Sequence, residues 1–152
     1  MKILLLMLML TAPAAALAND IALTSSVFVE QVKQDPSGKR TTVLAPPTMV
    51  TPGDRLLFVL SWQNGGGSPA SDFVVTNPIP ESVLYAGADG DGAAVSVDGG
   101  RSWGTLASLQ VRQVDGTLRP AVAADVTHVR WSFSKPIAAG ATGKLSFRGV
   151  VR

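Results

Sequence analysis

Short runs in which apolar and polar residues alternate make up most of the chain after residue 18. The clearest run spans 55–63, and its alternate positions form one apolar face with Leu56, Phe58, Leu60 and Trp62. A period of two is that of a β-strand with one buried face. Glycine and proline separate these runs at intervals of roughly ten residues, a spacing typical of all-β sandwiches and barrels. The pattern therefore predicts an all-β fold.

The same alternation gives a map of strands. In chain order they are expected at 21–32, 40–44, 55–63, 72–76, 83–86, 94–97, 101–104, 126–134 and 144–151, with weaker signals at 106–114 and 121–124. Asn77-Pro78-Ile79-Pro80 predicts the end of the strand at 72–76, because proline lacks the N–H that a ladder needs. On 126–134, Val129 and Trp131 are expected to face the core, with His128 and Arg130 facing outward.

The second face of the 55–63 strand is only half polar, because it carries Leu57 and Val59. A strand that exposes both residues would be an aggregation liability. We therefore expect the N-terminal segment or a partner to cover them.

The first 18 residues have the composition of a secretory signal peptide. Lys2 gives a positive start, residues 3–10 are apolar throughout, and Ala16-Leu17-Ala18 places small residues where a signal peptidase requires them. The apolar part is shorter than the roughly 20 residues of a membrane span. We expect export, cleavage before Asn19 and no membrane span in the mature chain. A buried N-terminal helix is the alternative.

The mature part is almost neutral and contains no cysteine. Without Lys2 the chain has 12 basic and 11 acidic residues, so it lacks the basic surplus that nucleic-acid binding requires. The absence of cysteine excludes disulfides, thiolate metal sites, a thiol nucleophile and a lipid anchor on a processed cysteine. We expect residues 19–47 to form an N-terminal strand segment packed on a single domain, residues 48–152.

The segment Ser96-Val97-Asp98-Gly99-Gly100-Arg101-Ser102-Trp103 predicts a tight hairpin. The carboxylate of Asp98 can accept local backbone N–H bonds, and Gly99 or Gly100 can adopt the positive φ of a turn. Trp103 is expected to anchor the turn in apolar surroundings. The segment resembles the Asp-box of sialidases and other secreted β-proteins, which is a structural element. Ser96, Asp98, Gly99, Gly100 and Trp103 are therefore interpreted as a structural hairpin motif, with a glycan contact as the alternative.

Asp89-Gly90-Asp91-Gly92, with Asp98 nearby, offers carboxylate oxygens to a calcium ion. The run lacks the ligand set of an EF-hand loop, so a solvated loop is the expected structure and weak calcium binding is the alternative.

His128 is the only histidine, and no Gly-x-Ser-x-Gly segment accompanies it. We expect an exposed strand residue rather than a catalytic or zinc-binding one. Trp62, Trp103 and Trp131 are in phase with apolar faces, so they are expected in the core rather than on a sugar-binding platform. The sequence thus predicts no catalytic, cofactor-binding or metal-binding residue.

From about residue 48 to residue 151 the chain resembles the bacterial conserved-repeat domain known as domain of unknown function eleven. The resemblance rests on segments that occur in the family's order: Thr51-Pro52-Gly53-Asp54, the strand from Leu56 to Asn64, the run from Ser68 to Pro80, Val83-Leu84-Tyr85, and the corner from Ile137 to Ala141. It implies an immunoglobulin-like β-sandwich of about seven to nine strands. It also implies an extracytoplasmic protein without catalytic residues. The domain occurs once here, and Leu57 and Val59 stand where the family usually has threonine.

These observations predict an exported, non-catalytic structural or adhesion-type interaction module of the cell envelope, in the periplasm or on the outer surface. Its partner would be an envelope protein or polysaccharide, without a cofactor, and self-association is a further option. The alternative is a subunit of a surface polymer or filament assembled by β-strand pairing, supported by the apolar strand at 21–32. A secreted enzyme is the third class.

Overall fold

The computed structural model describes residues 20–152, so the predicted signal peptide and its cleavage site before Asn19 lie outside the described residues. The described part consists almost entirely of strands and loops, which confirms the predicted all-β fold. The strands are β1 (Ile21–Gln34), β2 (Arg40–Ala45), β3 (Arg55–Asn64), β4 (Val74–Pro78), β5 (Val83–Asp89), β6 (Ala93–Ser96), β7 (Gln110–Arg112), β8 (Leu118–Pro120), β9 (His128–Ser132) and β10 (Thr142–Val151). Among these residues, no helix is long and apolar enough to cross a membrane.

Two antiparallel sheets form the body of the molecule. The large sheet has five strands in the order β2-β1-β3-β10-β5, and the small sheet has three in the order β4-β9-β6. β7 and β8 pair only with each other. β1 pairs with β3 without a break from Ile21 opposite Asn64 to Glu30 opposite Arg55. The N-terminal residues are thus a strand of the large sheet.

A single hydrophobic core lies between the two sheets. Phe58 of β3 stacks on Phe147 of β10 with ring centroids 4.4 Å apart, and Trp131 of β9 lies 6.4 Å from Phe147. Val129, Trp131 and Phe147 have no exposed surface. The Trp131 indole donates a hydrogen bond of 2.8 Å to the Asp89 carbonyl, which satisfies its buried N–H. The prediction that Val129 and Trp131 face the core is confirmed.

β4 differs from the strand predicted at 72–76. It begins only at Val74, because Asp72 has a φ of 55° and cannot continue an extended strand. It also extends through Pro78, which pairs with His128, so the expected end at Thr76 is wrong. Proline is tolerated here because β4 is an edge strand of the small sheet and needs no donor on its free side.

The predicted strand at 101–104 does not form. β6 pairs with β9 along its length. Of residues 101–104, only Gly104 pairs with β6, through an isolated bridge to Val95. The backbone N–H groups of Arg101 and Ser102 are bonded to the Asp98 carboxylate and are therefore lost to a strand ladder. The weak signals at 106–114 and 121–124 correspond to the β7–β8 hairpin and to 3-10 turns at Leu106–Ser108 and Ala123–Asp125. That hairpin brings the total to ten strands rather than seven to nine.

Leu57 and Val59 lie half-buried in the middle of the outer face of the large sheet. The N-terminal segment does not lie over them, because β1 pairs beside β3 in the same sheet and places Phe28 opposite Leu57. On the other side Arg148 of β10 lies opposite Leu57, and its Nε is 3.0 Å from Oε1 of Glu30 on β1. The alkyl part of such an arginine shields neighbouring apolar surface. Their half-burial thus comes from neighbours within the sheet.

Candidate functional site

The turn after β6 is organised around the carboxylate of Asp98. Oδ1 accepts hydrogen bonds from the backbone N–H groups of Arg101 (3.0 Å) and Ser102 (2.9 Å) and from the Ser96 hydroxyl (2.7 Å). Oδ2 accepts a bond of 2.6 Å from the Ser102 hydroxyl. These bonds hold the pKa of Asp98 well below its usual range, and the bond from the Ser102 hydroxyl has the largest effect. The carboxylate thus remains ionised and holds the turn together.

Ser96, Gly99 and Gly100 complete the turn. The Ser96 hydroxyl oxygen is buried and accepts a hydrogen bond of 2.8 Å from the Gly100 N–H. Gly99 and Gly100 have φ angles of 75° and 89°, which residues with a side chain rarely adopt. The Gly99 N–H donates to Thr127 Oγ1 at 3.1 Å, which ties the turn to the chain entering β9. The structure therefore brings these predicted motif residues together in one hydrogen-bonded turn.

Trp103 lies outside the core, on the outer face of the small sheet. The guanidinium carbon of Arg130 is 4.2 Å from the centroid of its ring, and the His128 ring packs against its edge with centroids 6.4 Å apart. His128 and Arg130 alternate on β9 with the fully buried Val129, so they mark the outward face. The prediction that Trp103 belongs to the core is wrong, because 101–104 does not continue as a strand and the indole packs on the outward-facing His128 and Arg130.

Trp103 also closes the turn itself. Its indole Nε1 donates a hydrogen bond of 3.0 Å to the Gly100 carbonyl, so its only donor is used within the motif. Arg130 covers one face of the indole by a cation–π contact. The Arg130 Nε is buried and has no hydrogen-bond partner among residues 20–152, and its guanidinium packs on the indole instead.

The other two tryptophans and the histidine occupy different environments. Trp131 is fully buried, as predicted. Trp62 is half-buried at one end of the core, perpendicular to Phe133 at 5.5 Å, and its indole lies over Gly143 of β10. His128 is half-buried rather than exposed, and its Nδ1 is 3.0 Å from the Thr127 hydroxyl. The three tryptophans therefore lie in separate environments and do not form one aromatic platform.

The three aspartates considered for calcium do not converge. Oδ2 of Asp89 accepts hydrogen bonds from the Ser146 hydroxyl (2.8 Å) and from Arg148 Nη1 (2.7 Å), and these bonds, in that order, lower its pKa. Asp98 is bonded within its own turn, and Asp91 is exposed after β5. In the described part of the chain, no group of three or more His, Cys, Asp or Glu side chains is arranged to hold a metal ion.

A buried clamp at Asn64 was not predicted from the sequence. Its Nδ2 donates to the carbonyl oxygens of Ser68 (3.0 Å), Ile137 (3.0 Å) and Ala138 (3.2 Å), and its Oδ1 accepts from the Gly66 N–H at 3.0 Å. Asn64 is only 1% exposed. The clamp joins the loop after β3 to the turn before β10. The sequence signal that could have revealed the clamp is the position of Asn64, which is in phase with the apolar residues of β3.

β1 has no partner along half of one edge in the described structure. β2 pairs with β1 only from Val29 to Gln34, so Ile21–Phe28 has a neighbour, β3, on one side only. This segment contains no charged residue, proline or glycine, and it pairs with β3 without a bulge. Natural edge strands are usually protected by one of those features. The backbone groups of this segment that point away from β3 have no strand partner among residues 20–152, so this edge can pair with another strand.

The opposite edge of the large sheet is less regular. β5 pairs with β10 through a register shift between Phe147 and Gly149, and Gly87 within β5 has a φ of 116°. Such irregularities bend a strand and disrupt its ladder. Asp89 ends the strand and is held by Arg148. Strand addition is therefore favoured at β1 over β5.

A shallow depression lies beside the free part of β1, with a volume of about 280 Å³. Its lining combines the indole of Trp62 with short and polar side chains and consists of Ala22, Thr24, Ser61, Trp62, Gln63, Thr142, Gly143 and Lys144. The set contains neither a carboxylate pair nor a histidine beside a nucleophile, which are the groups that acid–base or covalent catalysis needs.

No family model, curated protein or solved structure matches the chain. The geometry of the described residues therefore bears most directly on function. The Asp98 turn, the Asn64 clamp and the Asp89–Arg148 pair use their polar atoms in internal hydrogen bonds. The free segment of β1 offers backbone groups to a partner.

Proposed function

We propose that the chain is an exported, non-catalytic module of the bacterial cell envelope that contacts another protein by β-strand pairing. The observation that carries this proposal is the uncharged, unpaired edge at Ile21–Phe28. An added strand gains affinity from main-chain hydrogen bonds and specificity from alternate side chains. An extended segment with one free side supplies both the unpaired main-chain groups and the alternating side chains.

Export is supported by the signal-peptide pattern of residues 1–18. The resemblance of residues 48–151 to the conserved-repeat domain of unknown function eleven supports an envelope location and an immunoglobulin-like form of the sandwich. The proposal of a contact rather than a reaction is supported by the internal bonding of the Asp98 carboxylate, the most strongly perturbed acid of the described residues.

A filament subunit is the second candidate. Head-to-tail growth would require β1 of one copy to pair with β5 of the next, since these lie on opposite edges of the large sheet. The register shift in β5 makes that edge a poor acceptor. A polysaccharide partner would use the depression beside Thr24 and Lys144 instead of the backbone edge.

The proposal is tested in cells that produce the protein, with a photo-crosslinking amino acid at Thr24 or, as the matched control, at Val32. Val32 is 67% exposed on the same strand, but its backbone pairs with β2. We expect the chain in the envelope fraction with Asn19 as its first residue and protein adducts from position 24 only. Cytoplasmic chain that retains Met1, or equal adducts from both positions, would contradict the proposal.

A further inference from the structure

We infer that the strand that pairs with the free segment of β1 is β1 of a second copy, and that the pair is a closed, two-fold symmetric dimer. The inference rests on the proposed role of this edge in strand pairing. It specifies the partner, the direction of the strands and the number of copies.

Symmetry fixes the direction. Two identical edges related by a two-fold axis run antiparallel, and each residue's partner is set by the position of the axis. β2 occupies the edge from Val29 onward, so the pairing must fit within Ile21–Phe28. The axis must therefore lie near Thr24 and Ser25. An axis at Thr24 places Leu23 of each copy opposite Ser25 of the other.

The free segment is complementary to itself. A symmetric strand pair brings residues close to their own copies at the axis, where like charges are destabilising. Ile21–Phe28 has no charge that would meet itself, whereas the part of β1 covered by β2 contains Lys33. Side chains of opposed residues in an antiparallel pair point to the same face. With the axis at Thr24, the half-exposed Leu23 gains neighbours across the new pair.

The remaining edges of the large sheet explain why the assembly stops at two copies. Pairing β1 with β1 uses both free segments and leaves β2 and β5 as the outer edges of each large sheet. β2 has only six residues, begins at the charged Arg40 and is followed by Pro46-Pro47, and these features protect an edge from further pairing. The register shift beside Gly149 makes β5 unsuited to further pairing. The two five-stranded sheets would then join into one continuous sheet across the axis.

The absence of cysteine allows a direct test with single-cysteine variants of the chain that begins at Asn19. Opposed residues of an antiparallel pair have Cα atoms about 4.5 to 5.5 Å apart, within reach of a disulfide. We expect Thr24→Cys or Ser25→Cys to form a covalent dimer on mild oxidation, while Val32→Cys remains monomeric. Linkage of Val32→Cys to the same extent, or of neither edge variant, would overturn the inference.

Sedimentation of the unmodified chain and of charged variants is a second test of the dimer. The wild type should reach twice the monomer mass as its concentration rises, and Thr24→Lys and Thr24→Glu should each remain monomeric. An equal mixture of the two variants should regain the dimer mass, because opposite charges then meet at the axis. A wild type that stays monomeric, or one that forms a ladder of larger species, overturns the dimer. If Thr24 nevertheless crosslinks to a different envelope protein in cells, the proposed function stands and only the second copy is wrong.

Discussion

The Asn64 clamp offers the sharpest prediction about stability. Asn64→Ala removes three donated hydrogen bonds and one accepted bond. The carbonyls of Ile137 and Ala138 keep backbone bonds from the Ala70 and Ala141 N–H groups, whereas the Ser68 carbonyl and the Gly66 N–H lose the partner that Asn64 provides. Each such bond contributes about 1 kcal/mol net, and a buried group left without a partner costs more. We expect Asn64→Ala to lower the free energy of unfolding by about 3 to 4 kcal/mol. The free energy of unfolding of a single domain is roughly 5 to 15 kcal/mol, so this loss would be a large fraction of it.

The assay is urea unfolding of the chain that begins at Asn19, followed by tryptophan fluorescence. Trp131 lies in the core and reports its loss. Asn77→Ala is the matched control, because the Asn77 amide donates one exposed bond of 2.8 Å to the adjacent Pro78 carbonyl. We expect the control to change the free energy of unfolding by less than about 0.5 kcal/mol.

A second substitution at the same site separates hydrogen bonding from side-chain volume. Asn64→Asp keeps the shape but directs a carboxylate oxygen at carbonyls that now receive Nδ2, including those of Ile137 and Ser68. Near neutral pH this variant should be less stable than Asn64→Ala, because one oxygen of a buried carboxylate then faces carbonyl oxygens, and the Gly66 N–H is the one donor left to the group. Values for Asn64→Ala and Asn77→Ala that agree within about 0.5 kcal/mol would refute the reasoning.

Three further predictions concern other parts of the fold. Gly143→Ala should cost about 1 to 3 kcal/mol because its Cβ would overlap the Trp62 indole, while Gly67→Ala, with open space around it, should be nearly neutral in urea melts. Trp103→Ala should lower the free energy of unfolding by about 2 kcal/mol, roughly half the value for a fully buried tryptophan, because Trp103 is half-buried. An unchanged urea midpoint together with lost glycan binding would instead make the turn a surface binding site. Stability should fall as the pH drops below about 4, because the pKa of Asp98 is lowered in the folded state and the unfolded chain takes up the proton. Asp98→Ala should make this decline shallower, and an unchanged pH profile would contradict the assignment.

Strand alternation predicted the layers of the fold well where a strand is buried on one face. On β9 the alternation of Val129 and Trp131 with His128 and Arg130 gave the inward and outward faces correctly. The reason is that a period of two leaves only one register in which the apolar side chains are covered. The same argument failed for Trp103, since a turn that bonds its own backbone to Asp98 releases the following residues from the strand period.

The free edge of β1 could be anticipated only in part. The apolar run at 21–32 predicted a strand that could pair with a neighbour, but the sequence pattern does not state how far β2 extends along it. That extent depends on the short turn at Asp35–Lys39, whose position fixes Gln34 opposite Arg40 and ends the pairing at Val29 opposite Ala45. The Asn64 clamp depends likewise on the turn before β10, which lies far away along the sequence.

Hydrogen exchange of the β1 amides tests strand pairing at this edge most directly. In dilute solution, the amides of Ile21–Phe28 that point away from β3 should exchange rapidly, whereas the amides of Val29–Gln34 that point toward β2 should be protected. When the chain associates, alternate amides of Ile21–Phe28 should gain protection, and those of Val29–Gln34 should not change. Association that protects β5 instead, or that leaves Ile21–Phe28 unchanged, would contradict strand pairing at β1.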